Sequence, residues 1–221
     1  YPFLKRVMER PVYTFLFVQA HNSSRRRFPI FDSEYGCKEN HFGRKKQHWI
    51  AMAKHQLWKE RHFPNDIALV QLASPIEDAT VAKLNHASTE TGKIATFVGR
   101  GDFGNGLVGV VAADKQLRAA HNAVVGVQEQ WLQFIFDRDA NALPLEGISG
   151  PGDSGGPAYL VSTNSVCLIG VSSWQKDEST NWEEGKYGVI EHYSRISYFR
   201  DWIEKTLWQI SGISPEICPD S

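Results

Sequence analysis

The chain has 221 residues, with 24 Lys and Arg against 25 Asp and Glu and a formal net charge of −1. Near-zero charge gives no electrostatic case for a nucleic-acid or anionic-membrane partner, and no apolar run is long enough to span a bilayer as a helix. With 42% hydrophobic and 12% aromatic residues the chain can bury a sizeable core, and no internal repeat or low-complexity tract interrupts it.

In chain order, the sequence alternates short β-prone runs with turn-rich loops. Strands are predicted at 12–19, 28–32, 48–53, 67–73, 94–99, 107–111, 130–136, 157–161, 166–173 and 186–191. Each is an alternating, β-branched or aromatic run bounded by Gly, Asn, Asp or Pro. Residues 197–209 read as a helix, with Ser197 as its cap and Tyr198, Trp202, Ile203 and Leu207 on one face. Many short strands with turns between them imply an all-β barrel or sandwich. The clusters Arg25-Arg26-Arg27 and Arg44-Lys45-Lys46 are local and read as solvated loops.

The most specific string is Gly152-Asp153-Ser154-Gly155-Gly156-Pro157. Glycines around Ser154 allow a tight turn that presents its hydroxyl, with backbone N–H groups free to face a developing oxyanion. A serine of this kind needs a histidine base, and the base needs an orienting carboxylate. Asp66 stands at the mouth of the apolar run Ile67-Ala68-Leu69-Val70-Gln71-Leu72, where it can be partly buried and still reach an imidazole. Of eight histidines, His21 is the candidate base, because it follows the apolar run Thr14–Ala20 at the opening of a loop. His41, His48, His55 and His62 lie in a charge-rich stretch and read as surface. The order His21, Asp66, Ser154 is one in which such triads occur.

With these residues in hand, the chain resembles the chymotrypsin-like (trypsin-like) serine proteases over almost its whole length. Phe17-Val18-Gln19-Ala20-His21 is a degraded form of the family's segment around the histidine. Ala95–Gly101, Gly170–Trp174, Tyr187-Gly188-Val189 and Tyr198–Glu204 are similar to further family segments, in the same order. The resemblance implies two six-stranded antiparallel β-barrels, residues 1–85 and 86–221, with a C-terminal helix and the active site in the cleft between them. It implies peptide hydrolysis through an acyl-enzyme: Ser154 as nucleophile, His21 as general base, Asp66 holding the imidazole, and the amides of Gly152 and Ser154 as the oxyanion hole. No cofactor or metal is implied. Partners would be a protein or peptide substrate and a protein inhibitor, and a monomer is expected. The specificity pocket is assigned to Ile148, Ser149, Ser173, Trp174, Gln175 and Gly188. Ile148 stands where a trypsin carries its acidic pocket base, so cleavage after Arg or Lys is not expected.

The family's half-cystine after the histidine is Asn22 here, and only Cys37, Cys167 and Cys218 are present. Cys167 lies in an apolar strand and is expected to be a buried free thiol. The resemblance favours a secreted or extracytoplasmic setting, whereas three cysteines fall short of the usual secreted framework. In the family, a newly freed apolar amino terminus pairs with the Asp before the nucleophile, here Asp153. Tyr1-Pro2-Phe3 lies downstream of where that segment belongs, so either an upstream piece exists or Asp153 finds another cation. An unpaired Asp153 would leave the oxyanion hole collapsed. That keeps open an inactive or zymogen-like homologue acting as a binding or regulatory module. An α/β-hydrolase esterase is rejected, because a Pro and a strand-like run follow Ser154 where that class requires a helix.

Overall fold

The computed structural model describes residues 15–18, 38–42, 45–59, 64–74, 81–163, 165–176 and 183–219. The predicted strand at 28–32 lies outside them. A first sheet holds β1 (Phe15–Val18), β2 (Lys38–Phe42), β3 (Lys45–Lys54) and β4 (Ala68–Leu72) in the order β1-β4-β3-β2, with every pairing antiparallel. All five residues of β4 are buried, which is why its sequence reads as a nearly unbroken apolar run rather than an alternation.

The second sheet is larger. Its strands are β5 (Lys83–Leu84), β6 (Ile94–Gly99), β9 (Arg118–Ala123), β10 (Gly126–Gln128), β11 (Trp131–Ile135), β12 (Pro157–Val161), β13 (Val166–Lys176) and β14 (Ile190–Arg195). The order is β10-β11-β14-β13-β12-β6-β9, and β5 pairs in parallel with β13. Between β6 and β9, β7 (Phe103–Asn105) and β8 (Gly109–Ala112) form a separate hairpin. The large sheet curls until its ends meet: Asn122 on β9 donates its side-chain amide to the Ile135 carbonyl on β11 at 2.8 Å. Inside the curl Phe97, Phe134 and Tyr193 stack and cross, with centroids 4.9–5.3 Å apart.

The C-terminal helix α1 (Ile196–Ser211) buries Ile196, Phe199, Ile203 and Leu207, a three-to-four-residue spacing that forms one stripe. The stripe is rotated from the expected face, so that Tyr198 is half exposed. Ser197 is not the cap. The helix starts at Ile196, and the Ser197 hydroxyl donates to Glu90 Oε1 at 2.6 Å. Gly212 ends the helix with φ +66° and returns its N–H to the Trp208 carbonyl. The helix face, Ile67 and Leu69 at β4, and Leu168 and Val171 on β13 form one core cluster, which locks the two sheets together. No helix among the described residues is long and apolar enough to cross a membrane.

Two expectations from the sequence need correction here. Cys167 is not a free thiol: it is disulfide-bonded to Cys218, with Cα atoms 5.9 Å apart. The C-terminal tail folds back to bring them together, as Leu84 donates to the Glu216 carbonyl and accepts from the Cys218 N–H. Cys37 lies outside the described residues. His55 is not a surface residue either. It is 8% exposed, with its ring 5.4 Å from that of Phe199 and 5.1 Å from that of Trp202, and burial lowers its pKa.

Candidate active site

The string around Ser154 forms a turn between β11 and β12. Gly152 and Gly155 have φ of +94° and +80°, a region that L side chains rarely enter, so both glycines are needed for the turn to close. Asp153 N–H donates to the Gly150 carbonyl and Gly156 N–H to the Asp153 carbonyl. The turn is then fastened to β13, with Gly155 N–H to the Ser172 carbonyl at 3.0 Å and Ser172 N–H to the Gly156 carbonyl at 2.8 Å. Ser154 is exposed at its tip. The amides of Gly152 and Ser154 have no acceptor among the described residues.

Asp153 points the other way, into the protein. Its carboxylate accepts from Gly101 N–H at 2.6 Å and from Gly150 N–H at 3.1 Å. The approach is so close that a Cβ on Gly101 would lie 2.5 Å from the carboxylate carbon. Beside it lies a cavity of about 260 Å³ whose walls include Ile148, Ser149 and Tyr193. No cation pairs with Asp153 among the described residues.

Asp66 sits in the loop that leads into β4, and it is fully buried. Asn65 before it has φ +58°, a left-handed conformation that Asn tolerates. Ser173 on β13 donates its hydroxyl to Asp66 Oδ2 at 2.6 Å, and Ser194 on β14 donates to the Asp66 carbonyl at 2.6 Å. The acid from the first sheet is therefore positioned by two serines of the second. His21 lies outside the described residues.

A sequence model of the trypsin family matches residues 33–203. The chain belongs to the trypsin family. It is by class a chymotrypsin-like serine peptidase, and its curled antiparallel sheets with a C-terminal helix are the family's double β-barrel. Family membership implies protein substrates. The matched residues contain Asp66 and Ser154, and His21 precedes them.

The residues assigned to the specificity pocket from the sequence are only partly drawn together. The Ser149 N–H and hydroxyl and the Gln175 side-chain amide converge on one carboxylate, that of Glu191. The Trp174 ring stacks on His192, with centroids 3.7 Å apart and planes 6° apart, and the His192 pKa is pushed down to about 4, mainly by burial. Gly188 is not part of this group. Its N–H donates to the Phe136 carbonyl, and the strand register sets His192 opposite Trp174 and Glu191 opposite Gln175. Ile148 lines the cavity beside Asp153.

Glu191 escaped the sequence reading. It is 1% exposed, and burial pushes its pKa up to about 8 against the opposing pull of hydrogen bonds from Ser149, Gln175 and Ser172. The signal available was Glu191-His192 next to Tyr193 in a β-prone run. In isolation, polar residues in such a run read as solvent-facing, and the register with β13 is what turns them inward.

Proposed function

We propose that the protein is a serine endopeptidase that hydrolyses peptide bonds through an acyl-enzyme. Ser154 Oγ attacks the peptide carbonyl and its proton passes to His21. The Oγ–C bond forms as the carbonyl π pair moves onto oxygen, which the Gly152 and Ser154 amides receive. The pair returns, the C–N bond breaks, and the amine leaves with the His21 proton. Water then repeats the sequence to release the acid. Asp66 holds the imidazole and stabilises it when charged. In this reading residues 1–85 supply His21 and Asp66 and residues 86–221 supply Ser154, with β5 crossing to pair with β13.

The observation that carries the reading is Asp66: its carboxylate has no exposure and accepts from the Ser173 hydroxyl on β13, while its backbone carbonyl accepts from the Ser194 hydroxyl on β14. An ordinary acid at a strand mouth would be left in water, since burying one is costly unless it is hydrogen-bonded. The test is stoichiometric labelling by a fluorophosphonate probe, read by intact mass. Labelling should be abolished by Ser154→Ala and by His21→Ala, and peptide turnover should fall about 10⁴-fold or more in either variant. Labelling that survives either substitution rejects the assignment.

A second reading rests on Asp153, whose partners are the neutral amides of Gly101 and Gly150. A chain in this state is a zymogen-like or inactive homologue that uses the same double barrel for binding. A folded sample that takes no probe supports that reading.

A further inference from the structure

Each oxygen of the Asp153 carboxylate accepts one backbone amide, Gly101 N–H on Oδ1 and Gly150 N–H on Oδ2. A carboxylate can accept about four hydrogen bonds, so both oxygens keep room for a further donor. Strand register shows where that donor can come from. The Asp153 carboxylate fills the space that a Cβ on Gly99 would take. Gly99 is the partner of Arg118 across the β6–β9 pair. Directly opposed residues share one face of a sheet, with Cβ positions about 4.5–5.5 Å apart. Arg118 therefore leaves β9 on the face that Asp153 occupies, and Gly99, having no side chain, leaves the way between them open. The gap is within the reach of an extended arginine.

Arg118 also lines the cavity beside Asp153, and among the described residues it is the one Lys, Arg or His that does. Its fork is turned outward. Nη1 and Nη2 donate to Asp114 Oδ1 and Oδ2 at 2.7 and 2.8 Å, and the guanidinium carbon lies 4.2 Å from the centroid of the Phe103 ring. Both members of that pair are exposed, and exposed pairs stabilise little. Asp153 is half-buried, where charge-assisted hydrogen bonds gain strength, and a guanidinium is weakly hydrated and loses less than an ammonium on entering such a site. The neighbouring cations are engaged elsewhere: Lys115 Nζ lies 3.7 Å from Asp102 Oδ1, and Arg100 Nη1 donates to the Lys115 carbonyl at 2.8 Å. Glu146 is a further cavity acid, its oxygens taken by the amides of Asp137 and Leu143, but the carboxylate against Gly99, and so on the Arg118 face, is that of Asp153.

We propose that Arg118 is a positioning residue for the oxyanion hole: its guanidinium leaves Asp114, turns into the cavity and becomes the counter-ion of Asp153. The proposal deepens the peptidase reading and rests on it for the role of the Gly152 and Ser154 amides. Asp153 stands between those two residues, so a carboxylate fixed against β6 and β9 fixes the planes of both amides. The outward pose on Asp114 is the state in which Asp153 has only its two amides. The change between the poses is the rotation of one side chain, and it requires no newly freed amino terminus. Two acids compete for one cation, so weakening either acid moves the balance toward the other.

The experiment compares wild type with Asp114→Asn, Arg118→Lys, Arg118→Gln and the double variant Asp114→Asn/Arg118→Gln. The readouts are the crystal structure of Asp114→Asn and, for all five proteins, the rate of fluorophosphonate labelling at Ser154. Asn at 114 keeps an acceptor for the Gln116 N–H and drops the charge that holds Arg118 outside. In Asp114→Asn the guanidinium should lie within hydrogen-bond distance of Asp153, and labelling should quicken by up to about fivefold, the worth of one exposed ion pair. Arg118→Gln should label about tenfold or more slowly than wild type. Arg118→Lys, which keeps the charge, should retain most of the rate. The double variant should match Arg118→Gln, because Asp114 acts only through Arg118. A guanidinium that stays outside or settles on Glu146 in Asp114→Asn overturns the proposal, as does a labelled Arg118→Gln as fast as wild type, or a double variant as fast as Asp114→Asn. Should Arg118→Gln fail to fold, the guanidinium position in Asp114→Asn still decides. Arg118 on Asp153 in a chain that takes no probe upholds the counter-ion and sinks the peptidase, and labelling of Asp114→Asn with Arg118 outside does the reverse.

Discussion

Two glutamates, Glu90 in the loop before β6 and Glu191 on β14, are buried to the same 1% and accept the same number of hydrogen bonds on their carboxylates, four each, yet their partners differ in kind. Glu90 takes two of its four from Arg195, whose Nε and Nη2 reach its two oxygens at 3.1 and 2.8 Å, and the rest from Asn85 and Ser197. Around it the tail is pinned to Leu84 and closed by the Cys167–Cys218 disulfide. Glu191 takes all four from neutral groups. One region brings its own counter-ion and a covalent tie; the other is held by neutral hydrogen-bond donors. The contrast separates a buried carboxylate that carries its own counter-ion from one held by neutral groups.

The sharpest way to break that contrast is to take away the internal cation. Arg195→Met keeps the apolar stem and strands Glu90 in the core, and should cost about 3–5 kcal/mol in urea denaturation. A cost near zero would mean that Glu90 is no better supplied than Glu191. Cys218→Ser removes the tie across 51 residues of sequence and should cost about 2–4 kcal/mol. Ser154 labelling should be unchanged, because the tail's backbone hydrogen bonds and disulfide go to Leu84 and Cys167 and not to the turn around Ser154. The smallest effect is expected at Glu191. Its pKa is raised in the folded state, so between the ordinary carboxyl range and about pH 8 the folded protein holds a proton that the unfolded chain has lost. Stability from this group is present at low pH and is lost as pH rises through that window. Glu191→Gln should therefore remove about 1–3 kcal/mol of the fall in stability between pH 6 and 8. An identical fall in the variant would place the alkaline sensitivity elsewhere. His192, whose pKa is lowered to about 4, acts in the opposite sense: it costs stability as pH falls below about 6.5.

The sequence was most legible where backbone geometry demands a residue type. Gly152 and Gly155 stand at positive φ, and no other residue type would keep that turn at so little strain, so the string around Ser154 announces itself. Strand positions 94–99 and 157–161 follow from apolar runs with turn residues at both ends, and the observed strands coincide with them. What could not be read were properties of register and chain return. The strand predicted at 186–191 lies at Ile190–Arg195, and that shift of a few residues is what brings Glu191, instead of Gly188, opposite Gln175. His55 sits in a polar stretch, and only the packing of α1 against it makes it a core residue. The partner of Cys167 comes from a tail that returns to β5 through two backbone hydrogen bonds, for which no local pattern exists.

Ser172 belongs to both halves of the site. Its backbone holds Gly155 and Gly156, one and two residues after Ser154, while its hydroxyl reaches Ser149 and Glu191. Any change that moves the main chain of β13 there would drag the turn around Ser154 along with it. The Ser149–Glu191 cluster can therefore be altered without disturbing that turn only from side-chain tips such as those of Gln175 and Glu191, and not from Ser172.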